Sequence, residues 1–278
     1  MKAIALVIPW FGENLKGGAE QQAWQIANRL AARGHKVEIL TTCCAAFHED
    51  WSMNHLSPGR EKINGLTVRR FKVDKRQSEV FNRANAHGLA LPTESLKPGI
   101  NPFPFGKAEE FVNENINSSG LERFLKRNST QYHCFIFIPY LYGTTLNGLP
   151  LVAEQSWLQP CLHDEVYAYL PQVERCMRLC RGILYNSEGE QKLALTLFGP
   201  GILRKGKVVG EGIELKTLPL HEIPETVAGL DLAKTPFVLC LGRRDDTKKT
   251  GFLVEAFRRY RLSFRQGSLN LLLAGPGD

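Results

Sequence analysis

The first 42 residues contain the pattern that most constrains the fold of this chain. Residues 4–8 form a short apolar run that ends at Pro9, which is typical of a buried parallel strand. A helix is predicted next, because small and apolar side chains recur at the spacing of one helix face: Ala23, Ile26, Ala27, Leu30 and Ala31. Residues 37–40 form a second apolar run. The pattern predicts a strand–helix–strand unit whose connecting loop ends in Gly17-Gly18.

The Gly17-Gly18 pair stands where the predicted loop meets the N-terminus of the predicted helix. A helix N-terminus presents unpaired backbone N–H groups and a partial positive charge, and glycines without Cβ let an anion approach the backbone. Open α/β sheets bind ligands at the carboxyl ends of their strands, where this loop begins. The pair therefore indicates a phosphate-binding loop. The alternative is a simple tight turn, since the loop matches neither G-x-G-x-x-G nor the Walker sequence.

Strands and helices alternate along the rest of the chain, and the pattern begins again near its end. Residues 237–241 are apolar, an amphipathic helix follows, and residues 269–274 form another apolar run. Such alternation predicts an α/β fold with parallel sheets. We expect one domain over residues 1–214, a linker over 215–235 and the beginning of a second domain over 236–278. This second domain is expected to be incomplete, because one such unit cannot cover its own sheet.

Three local expectations concern the middle of the chain. Residues 156–162 are predicted to form a strand, although Pro160 makes the match imperfect. A long helix, interrupted near Pro171, is predicted to follow. Ser187 and Glu190 have the spacing of a capping box, so we expect them to begin another helix.

Composition and cysteine spacing argue against several classes of protein. The chain has 278 residues, of which 43% are hydrophobic and 23% are charged, as in ordinary globular proteins. The apolar run near the start is too short to cross a bilayer, and no cleavable leader is recognisable after Met1. Seven cysteines, an odd number without a C-x-x-C pair, argue against a zinc site or a disulfide framework. We expect reduced thiols and a cytoplasmic location.

The formal net charge of +7 could attract nucleic acid, an anionic membrane surface or a phosphorylated small molecule. Its visible clusters lie at residues 68–76 and 258–261, and neither is interleaved with a ladder of aromatic residues. We therefore expect no nucleic acid and interpret both clusters as mostly solvated surfaces. Peripheral contact with an anionic membrane, at its inner face, is left as an open alternative.

Several segments are more informative together than any one of them alone. In chain order they are the Gly-Gly loop with its helix and RGHKVEILT, then FIPYLYGTT, CLHDEVYAYL, LYNSEGE, VVGEGIE, GRRDDTKKTGFLVEAF and LLLAGPGD. This ordered set resembles the large family of retaining, nucleotide-sugar-dependent glycosyltransferases with the GT-B architecture, often called family 4. The resemblance implies two Rossmann-like domains. The N-terminal domain would hold a glycan or lipid-linked acceptor, and the C-terminal domain would hold a nucleoside-diphosphate sugar as donor substrate.

The resemblance also implies which groups hold the donor diphosphate. Arg243 and Lys248 match the cationic pair of the family, and Lys249 is the alternative to Lys248 because the two lysines are adjacent. The backbone at Gly17-Gly18 would approach the same diphosphate. No metal or other cofactor is required if cations and N–H groups hold this charge. The alternative is a solvated loop whose charges pair with one another.

Residues implied to contact the sugar or the acceptor follow two predicted strands. His163 comes directly after the predicted strand 156–162, and the resemblance implies that a histidine here contacts the donor sugar near the reacting carbon. The alternative is a capping or packed histidine. Asp164 and Glu165 are expected to cap the following helix. Tyr140 and Tyr142 would either line an acceptor pocket or pack against the sheet edge.

The chain also departs from the family. Members continue with further strand–helix units after the segment that LLLAGPGD matches, including a Glu-x7-Glu segment that grips the donor, and nothing after Asp278 supplies these units here. Three functions stay open: a retaining hexosyltransferase, a non-catalytic remnant that binds an acceptor or a partner, and another GT-B enzyme such as a sugar-nucleotide epimerase. The first and third predict binding of a nucleoside diphosphate, and the second predicts none.

Overall fold

The computed structural model describes residues 2–15, 17–212, 225–227, 229–264, 267–275 and 277. The chain divides into two compact units, Met1–Glu214 and Leu215–Asp278, which we call the N-terminal unit and the C-terminal unit. Of the linker expected at 215–235, residues 215–224 and 228 lie outside the described residues. Each unit is described by itself below.

A twisted eight-stranded sheet forms the centre of the N-terminal unit. Its strands are β1 (Ala3–Val7), β2 (Val37–Thr42), β3 (Gly59–Ile63), β4 (Leu66–Phe71), β5 (Tyr132–Phe137), β6 (Ser156–Leu158), β7 (Gly182–Tyr185) and β8 (Gly206–Val208). They lie in the order β3-β4-β2-β1-β5-β6-β7-β8. Every neighbouring pair is parallel except β3 and β4, which form an antiparallel hairpin with Ile63 opposite Leu66. The predicted α/β fold with a parallel sheet is confirmed.

The helices of this unit connect the parallel strands. They are α1 (Gly18–Ala32), α2 (Ser78–Leu89), α3 (Lys107–Asn113), α4 (Ser119–Asn128), α5 (Gly143–Leu146), α6 (Pro171–Leu179) and α7 (Glu188–Phe198). The longest of them, α1, has 15 residues, whereas a bilayer crossing needs about 20 apolar residues. A helix with the length and apolar character of a membrane span was not found in the described part of the chain.

Alternation along the central strands explains why both faces of the sheet are covered. On β1, Leu6 belongs to the hydrophobic cluster that contains Ala23 of α1, whereas Val7 belongs to the cluster on the opposite face. On β5, Ile136 and Phe137 divide in the same way. Because successive side chains of a strand point to opposite faces, a continuous apolar run supplies both clusters.

The order of the strands places a topological switch point beside β1. From β1 the chain continues through α1 to β2 on one side, whereas β5 lies on the other side of β1. In open α/β sheets, the loops that leave such neighbouring strands separate at their carboxyl ends and leave a crevice in which ligands bind. The loop between β1 and α1, which ends in Gly17-Gly18, begins at this point.

Two local predictions are wrong in their bounds. The strand predicted over 156–162 ends at Leu158, since Pro160 has no N–H to donate and Cys161 adopts a left-handed backbone conformation with φ of +54°. The helix predicted to continue across Pro171 instead begins there, because proline is favourable at the first helical position. Val166–Tyr169 forms a separate 3-10 turn before it.

The described part of the C-terminal unit contains two small sheets and one α-helix. Strands β9 (Thr226–Val227) and β10 (Leu230–Asp231) form an antiparallel pair. Strands β11 (Phe237–Leu241) and β12 (Asn270–Ala274) are parallel, and α8 (Thr250–Ser263) connects them. This is the second strand–helix–strand unit that the sequence pattern predicts.

Candidate functional site

The loops that follow β1, β2, β4, β5, β6 and β7 leave the N-terminal sheet at the same edge, because these strands are parallel. We call this edge, at the end of the strands, the carboxyl edge. The residues singled out in this unit from the sequence all follow one of these strands: Gly17 and Gly18 after β1, Tyr140 and Tyr142 after β5, and His163 after β6.

Gly18 leaves room for a ligand at the N-terminus of α1. It is the first residue of that helix, and the N-cap residue Gly17 has no side chain with which to cap the free N–H groups. Gly18 is exposed, and a Cβ placed on it would have no heavy atom within 4 Å. A Cβ on Gly17 would instead collide with the carboxylate of Glu20, which accepts a hydrogen bond from Trp10 Nε1. The open approach for an anion therefore lies on the Gly18 side, since Glu20 would repel it on the other.

The backbone next to His163 is held by a buried carboxylate. Glu190 Oε1 accepts a hydrogen bond from Leu162 N at 2.6 Å, and its other oxygen accepts one from Asn186 N. Burial raises the pKa of this carboxyl, while the two backbone N–H groups and nearby His163 oppose the rise. The imidazole of His163 is exposed and makes no hydrogen bond to a described residue. The predicted capping box is thus only half formed, because Ser187 Oγ accepts from Glu190 N at 3.1 Å but Glu190 bonds elsewhere.

A network of amide side chains connects three elements at the carboxyl edge. Asn186 Oδ1 accepts a hydrogen bond from Gln22 Nε2 of α1 at 2.7 Å and one from Gln159 Nε2 at 2.9 Å. Cys161 lies in the same network, with its Sγ 3.3 Å from Gln22 Oε1. The Oε1 atom of Gln159 is buried without a hydrogen-bond partner in the described structure. The network fixes the loops after β6 and β7 against α1.

Tyr140 and Glu165 form a second polar contact at this edge. The Tyr140 ring is buried in the main core, and its hydroxyl donates a hydrogen bond to Glu165 Oε1 at 2.7 Å. Burial, followed by the Glu165 charge, raises the pKa of Tyr140 well above its ordinary value. Asp164 is exposed and accepts a hydrogen bond from the Tyr169 hydroxyl at 2.8 Å. Neither carboxylate caps the 3-10 turn that follows, so that expectation is wrong.

Tyr142 belongs to a group of rings that we call the edge aromatic cluster: Trp10, Phe47, Trp51, Phe81 and Tyr142. The rings of Trp10 and Tyr142 pack edge to face with centroids 4.9 Å apart, and Trp51 lies 5.8 Å from Trp10 and 5.6 Å from Tyr142. Phe47 is 50% exposed, whereas Trp10 is buried. Phe81 and Tyr142 are buried as well, so the cluster is an apolar core at the carboxyl edge that reaches solvent mainly through Phe47.

The basic segment 68–76 is not the solvated surface that its sequence indicates. Arg70 is buried, pairs with Glu61 and donates a hydrogen bond from Nη2 to the carbonyl oxygen of Phe11 at 2.9 Å. It therefore joins β4 to the loop that follows β1. Arg76 is also drawn inward, because its guanidinium lies over the rings of the edge aromatic cluster.

The loop after β11 in the C-terminal unit contains the predicted cationic pair. Arg243 Nε lies 3.4 Å from Asp245 Oδ2, and just over half of the Arg243 side chain is exposed. Lys248 is exposed, and its backbone N donates a hydrogen bond to Asp245 Oδ1 at 3.0 Å. Lys249 is different, since it adopts φ of +55° and forms the N-cap of α8. Arg243 and Lys248 are thus exposed beside the N-terminus of α8, as are Arg244 and Lys249 in the same loop.

Two glycines after β12 explain the GPG sequence that follows it. A Cβ on Gly275 would lie 1.9 Å from the carbonyl oxygen of Gly242, and a Cβ on Gly277 would lie 2.4 Å from that of Arg244. Both glycines also adopt positive φ values, of +139° and +143°. The loop after β12 can therefore pass directly against the loop that contains Arg243, and it supports that loop from one side.

Sequence reasoning missed the amide network and the edge aromatic cluster. Asn186 appears in the sequence analysis only within the segment LYNSEGE, and Gln22 lies inside a predicted helix without any motif around it. Only the positions of Trp10 and Asn186 in the sequence indicate these groups. Both residues follow apolar strands, and the carboxyl ends of parallel strands meet at one edge of the sheet. Each member comes from a different element, so the grouping depends on the order of the strands.

Comparisons with solved structures identify this architecture as the GT-B fold. A structure from E. coli described as trehalose-6-phosphate bound with UDP-2-fluoro glucose matches with a TM-score of 0.59, and the trehalose-6-phosphate synthase OtsA matches with 0.61. The α,α-trehalose 6-phosphate synthase of Burkholderia multivorans matches with 0.56. Each is 12% identical over 99% of this chain, which spans 65%, 65% and 66% of their respective lengths. At this identity the likeness concerns the fold alone.

Sequence comparisons add no further relative. No protein-family model matches the chain, and comparison with curated proteins gave no significant match. Assignments of activity, substrate and partner therefore depend on the residues of the chain itself.

Proposed function

We propose that this chain transfers a hexose from a nucleoside-diphosphate sugar to a glycan or lipid-linked acceptor, with retention of the anomeric configuration. The observation that supports this most is the open N-terminus of α1 at Gly18, beside the switch point of a sheet with the GT-B fold. The same edge contains His163 and the edge aromatic cluster. Backbone N–H groups, a histidine and aromatic rings are the kinds of group that recognise a phosphate and a sugar.

The chemistry requires groups that stabilise a leaving diphosphate. Breaking the anomeric C–O bond places positive charge on the sugar and negative charge on the diphosphate. We assign Arg243 and Lys248 to this negative charge, and we assign the N–H groups at Gly17-Gly18 to it as well. We propose that these groups hold the diphosphate and that no metal takes part.

The size of the cationic contribution depends on exclusion of water. A cation about 4 Å from a unit negative charge contributes about 4 kcal/mol at an effective dielectric constant of 20, but an exposed pair contributes only about 0–1 kcal/mol. Both Arg243 and Lys248 are exposed in this structure. We therefore propose that they stabilise the diphosphate strongly only when the bound substrates exclude water from the loop.

His163 is the residue that we assign to the donor sugar near the reacting carbon. Its imidazole makes no hydrogen bond to a described residue, so it can bind a sugar hydroxyl without first losing a partner. Its backbone is held in place because Leu162 is bonded to Glu190. Tyr140, from the connection after β5, donates a hydrogen bond to Glu165, which lies with His163 in the connection after β6, and so orients a carboxylate close to His163 in sequence.

The acceptor is assigned to the apolar part of the carboxyl edge. Phe47, the exposed ring of the edge aromatic cluster, offers a surface on which a sugar or a lipid-linked group can pack. Tyr142 is buried in the same cluster, so its ring supports this surface rather than forming it. A lipid-linked acceptor would bring the protein to the inner face of a membrane, and we propose the cytoplasm as the location of the reaction.

Product analysis with a panel of nucleotide sugars tests the proposal. UDP-linked hexoses are tested first, because UDP-2-fluoro glucose was bound in one protein of similar fold. We expect release of nucleoside diphosphate together with an α- or β-linked product whose anomeric configuration, read by NMR, equals that of the donor. Release that persists unchanged in His163→Ala would contradict the assignment of His163.

The two alternative functions give different products in the same assay. A sugar-nucleotide epimerase would change the sugar of the donor and need no acceptor. A non-catalytic remnant would neither bind nor consume any nucleotide sugar. Either result would overturn the proposed transfer reaction.

A further inference from the structure

The guanidinium of Arg76 stacks on aromatic rings and forms no ion pair with a residue that the structure describes. Its guanidinium carbon lies 5.1 Å from the centroid of the Trp51 ring and 4.5 Å from that of Phe81. Its Nε atom is buried and has no hydrogen-bond partner among the described residues. A buried donor without a partner requires an explanation, because leaving it unpaired costs free energy.

Neighbouring arginines show that this segment can satisfy its guanidinium groups. Arg69 donates a hydrogen bond to Glu38 at 2.9 Å, and Arg70 bonds to Glu61 and to the carbonyl oxygen of Phe11. Arg76 lies only six residues after Arg70 and lacks such contacts. Arg69 and Arg70 therefore have ion-pair partners, whereas the guanidinium of Arg76 has none among the described residues.

The position of Arg76 brings it to the carboxyl edge. It follows β4, and the Trp51 ring beneath it follows β2. Trp51 in turn contacts Trp10 and Tyr142, which follow β1 and β5 at the switch point. The Trp51 ring therefore connects the guanidinium to the rings at the switch point, where open α/β sheets bind their ligands.

Two carboxylates attract the guanidinium of Arg76, although neither forms an ion pair with it. Burial lowers the pKa of the guanidinium, and the charges of Asp50, Glu114 and Cys44 act in the opposite direction. The side chain of Asp50 is bonded to Ser52, and that of Glu114 accepts from the backbone N of Gln77. These hydrogen bonds come from uncharged groups, so the two carboxylates still attract the guanidinium, and a further anion has to compete with that attraction. An additional anion at the guanidinium would be stabilised by contact rather than by long-range attraction.

We propose that the acceptor bears a phosphate group that binds the guanidinium of Arg76. The two terminal nitrogens form the planar fork that recognises oxyanions by paired hydrogen bonds. Phe47, half exposed in the same cluster, offers an apolar surface for the rest of the acceptor. This inference rests on the proposed function only in calling the ligand an acceptor, since the binding of a phosphate by Arg76 can be measured without any donor.

Two sources could supply this phosphate, a soluble sugar phosphate and the headgroup of a phospholipid or lipid-linked sugar. A soluble phosphate ester would contact only the terminal nitrogens of Arg76 and the edge aromatic cluster. A lipid would in addition bring the exposed Phe47 and Met53, which are 50% and 54% exposed, against a membrane surface. The experiment therefore includes one probe of each kind.

The test is a titration of the 278-residue chain followed by tryptophan fluorescence, because Trp51 lies directly under the guanidinium. The probes are inorganic phosphate, a hexose 6-phosphate, the unphosphorylated hexose, and vesicles of neutral lipid with or without an anionic phospholipid. We expect the hexose phosphate to bind more tightly than the neutral hexose. In Arg76→Met its dissociation constant should rise by at least about tenfold, as expected for loss of a charge-assisted contact. The exposed Arg83 on α2 supplies the matched control, and Arg83→Met should bind as the wild type does.

A second measurement keeps the test valid if Arg76→Met does not fold. In the wild type labelled with 15N-arginine, the Nε–H resonance that disappears in Arg76→Lys should shift as phosphate is added. Equal binding of the neutral and phosphorylated hexose, or binding that is unchanged in Arg76→Met, would overturn the inference. Binding of vesicles that depends on Arg76, with none of the soluble ester, would assign the phosphate to a lipid. If the wild type binds phosphate through Arg76 but turns over no nucleotide-sugar donor, the proposed function is contradicted and the Arg76 site is not.

Discussion

The carboxylate of Glu190 accepts a hydrogen bond from the backbone nitrogen of Leu162 at 2.6 Å, and the two residues are 28 positions apart in the chain. The contact joins the first turn of α7 to the loop that presents His163. A helix N-terminus stabilises a negative charge, so Glu190 can remain a hydrogen-bond acceptor although it is largely buried. The backbone beside His163 is therefore held by a side chain of another element.

Substitution of Glu190 should change how stability depends on pH. Burial raises the pKa of Glu190 above its ordinary value of 4.5, so the folded chain binds this proton more tightly than the unfolded chain. The stability that arises from this proton is fully present below the ordinary pKa and is lost as pH rises through the raised pKa. The free energy of unfolding of the wild type, minus that of Glu190→Gln, should therefore fall as pH increases from 4.5.

Urea unfolding of both proteins at several pH values measures this difference. Glu188 supplies the control, because it lies in the same first turn but is exposed. The difference between the wild type and Glu188→Gln should stay nearly flat over the same range. A difference for Glu190 that grows with rising pH would contradict the assignment of burial as the main cause.

Substitution of Gly18 should separate folding from ligand binding. A Cβ at Gly18 meets no heavy atom within 4 Å, so Gly18→Val should fold with a melting temperature close to that of the wild type. The added side chain would block the approach of an anion to the helix N–H groups, so we expect binding of a nucleoside diphosphate to weaken strongly. Thermal unfolding and a binding titration on the same preparation test both statements.

Gly120 provides the comparison for this variant. It lies in the first turn of α4, and a Cβ there would be in ordinary contact with Phe71 at 3.7 Å. Gly120→Val should leave nucleotide binding unchanged. If Gly18→Val binds as well as Gly120→Val does, then the Gly17-Gly18 pair is only a tight turn.

Removal of the His163 imidazole should lower turnover far more than stability. The side chain is exposed, and substitutions at such positions usually change the free energy of unfolding by no more than about 0.5 kcal/mol. We expect kcat of His163→Ala to fall while its melting temperature stays near that of the wild type. His87→Ala, at an exposed position on α2, should leave both unchanged. A large loss of melting temperature with turnover intact would show that His163 has a structural role.

Adjacent lysines should differ in their effect on sugar transfer. Lys248 is exposed beside Arg243 in the loop after β11, whereas Lys249 adopts φ of +55° and caps α8. Removal of one group that stabilises a developing anion typically lowers turnover by about 10²–10³. Lys248→Ala should fall in this range in a preparation that transfers sugar, and Lys249→Ala should have little effect. If Lys249→Ala lowers turnover more than Lys248→Ala does in a steady-state assay, then Lys249 and not Lys248 stabilises the diphosphate.

Much of the fold could be predicted because local patterns determine it. The apolar run at residues 4–8 and the helical spacing of Ala23 and Ala27 predict β1 and α1, and both alanines are fully buried. Asn64-Gly65 predicts the hairpin of β3 and β4, and the structure pairs these strands antiparallel. Cys161 shows where local reasoning fails, since its left-handed conformation ends β6 early and no sequence pattern indicates it.

The candidate site could be predicted only in part, because its residues meet through the order of the strands. Gln22 and Asn186 are bonded although they are 164 positions apart, and this contact exists only because α1 lies beside the loop after β7. Arg76 belongs to a basic run whose composition indicates solvent exposure, yet it stacks on Trp51, a ring from another loop. Position at the end of a strand was predictable, whereas the partners across the edge required the sheet order.

Titration of this chain with nucleoside diphosphates, followed by calorimetry, tests the central claim most directly. The account predicts saturable binding with a dissociation constant weaker than about 1 µM, and further weakening in both Arg243→Ala and Lys248→Ala. The absence of binding by any nucleoside diphosphate would contradict the claim that the chain belongs to a sugar-nucleotide enzyme. Tight binding that survives both substitutions would contradict the assignment of these two residues to the diphosphate.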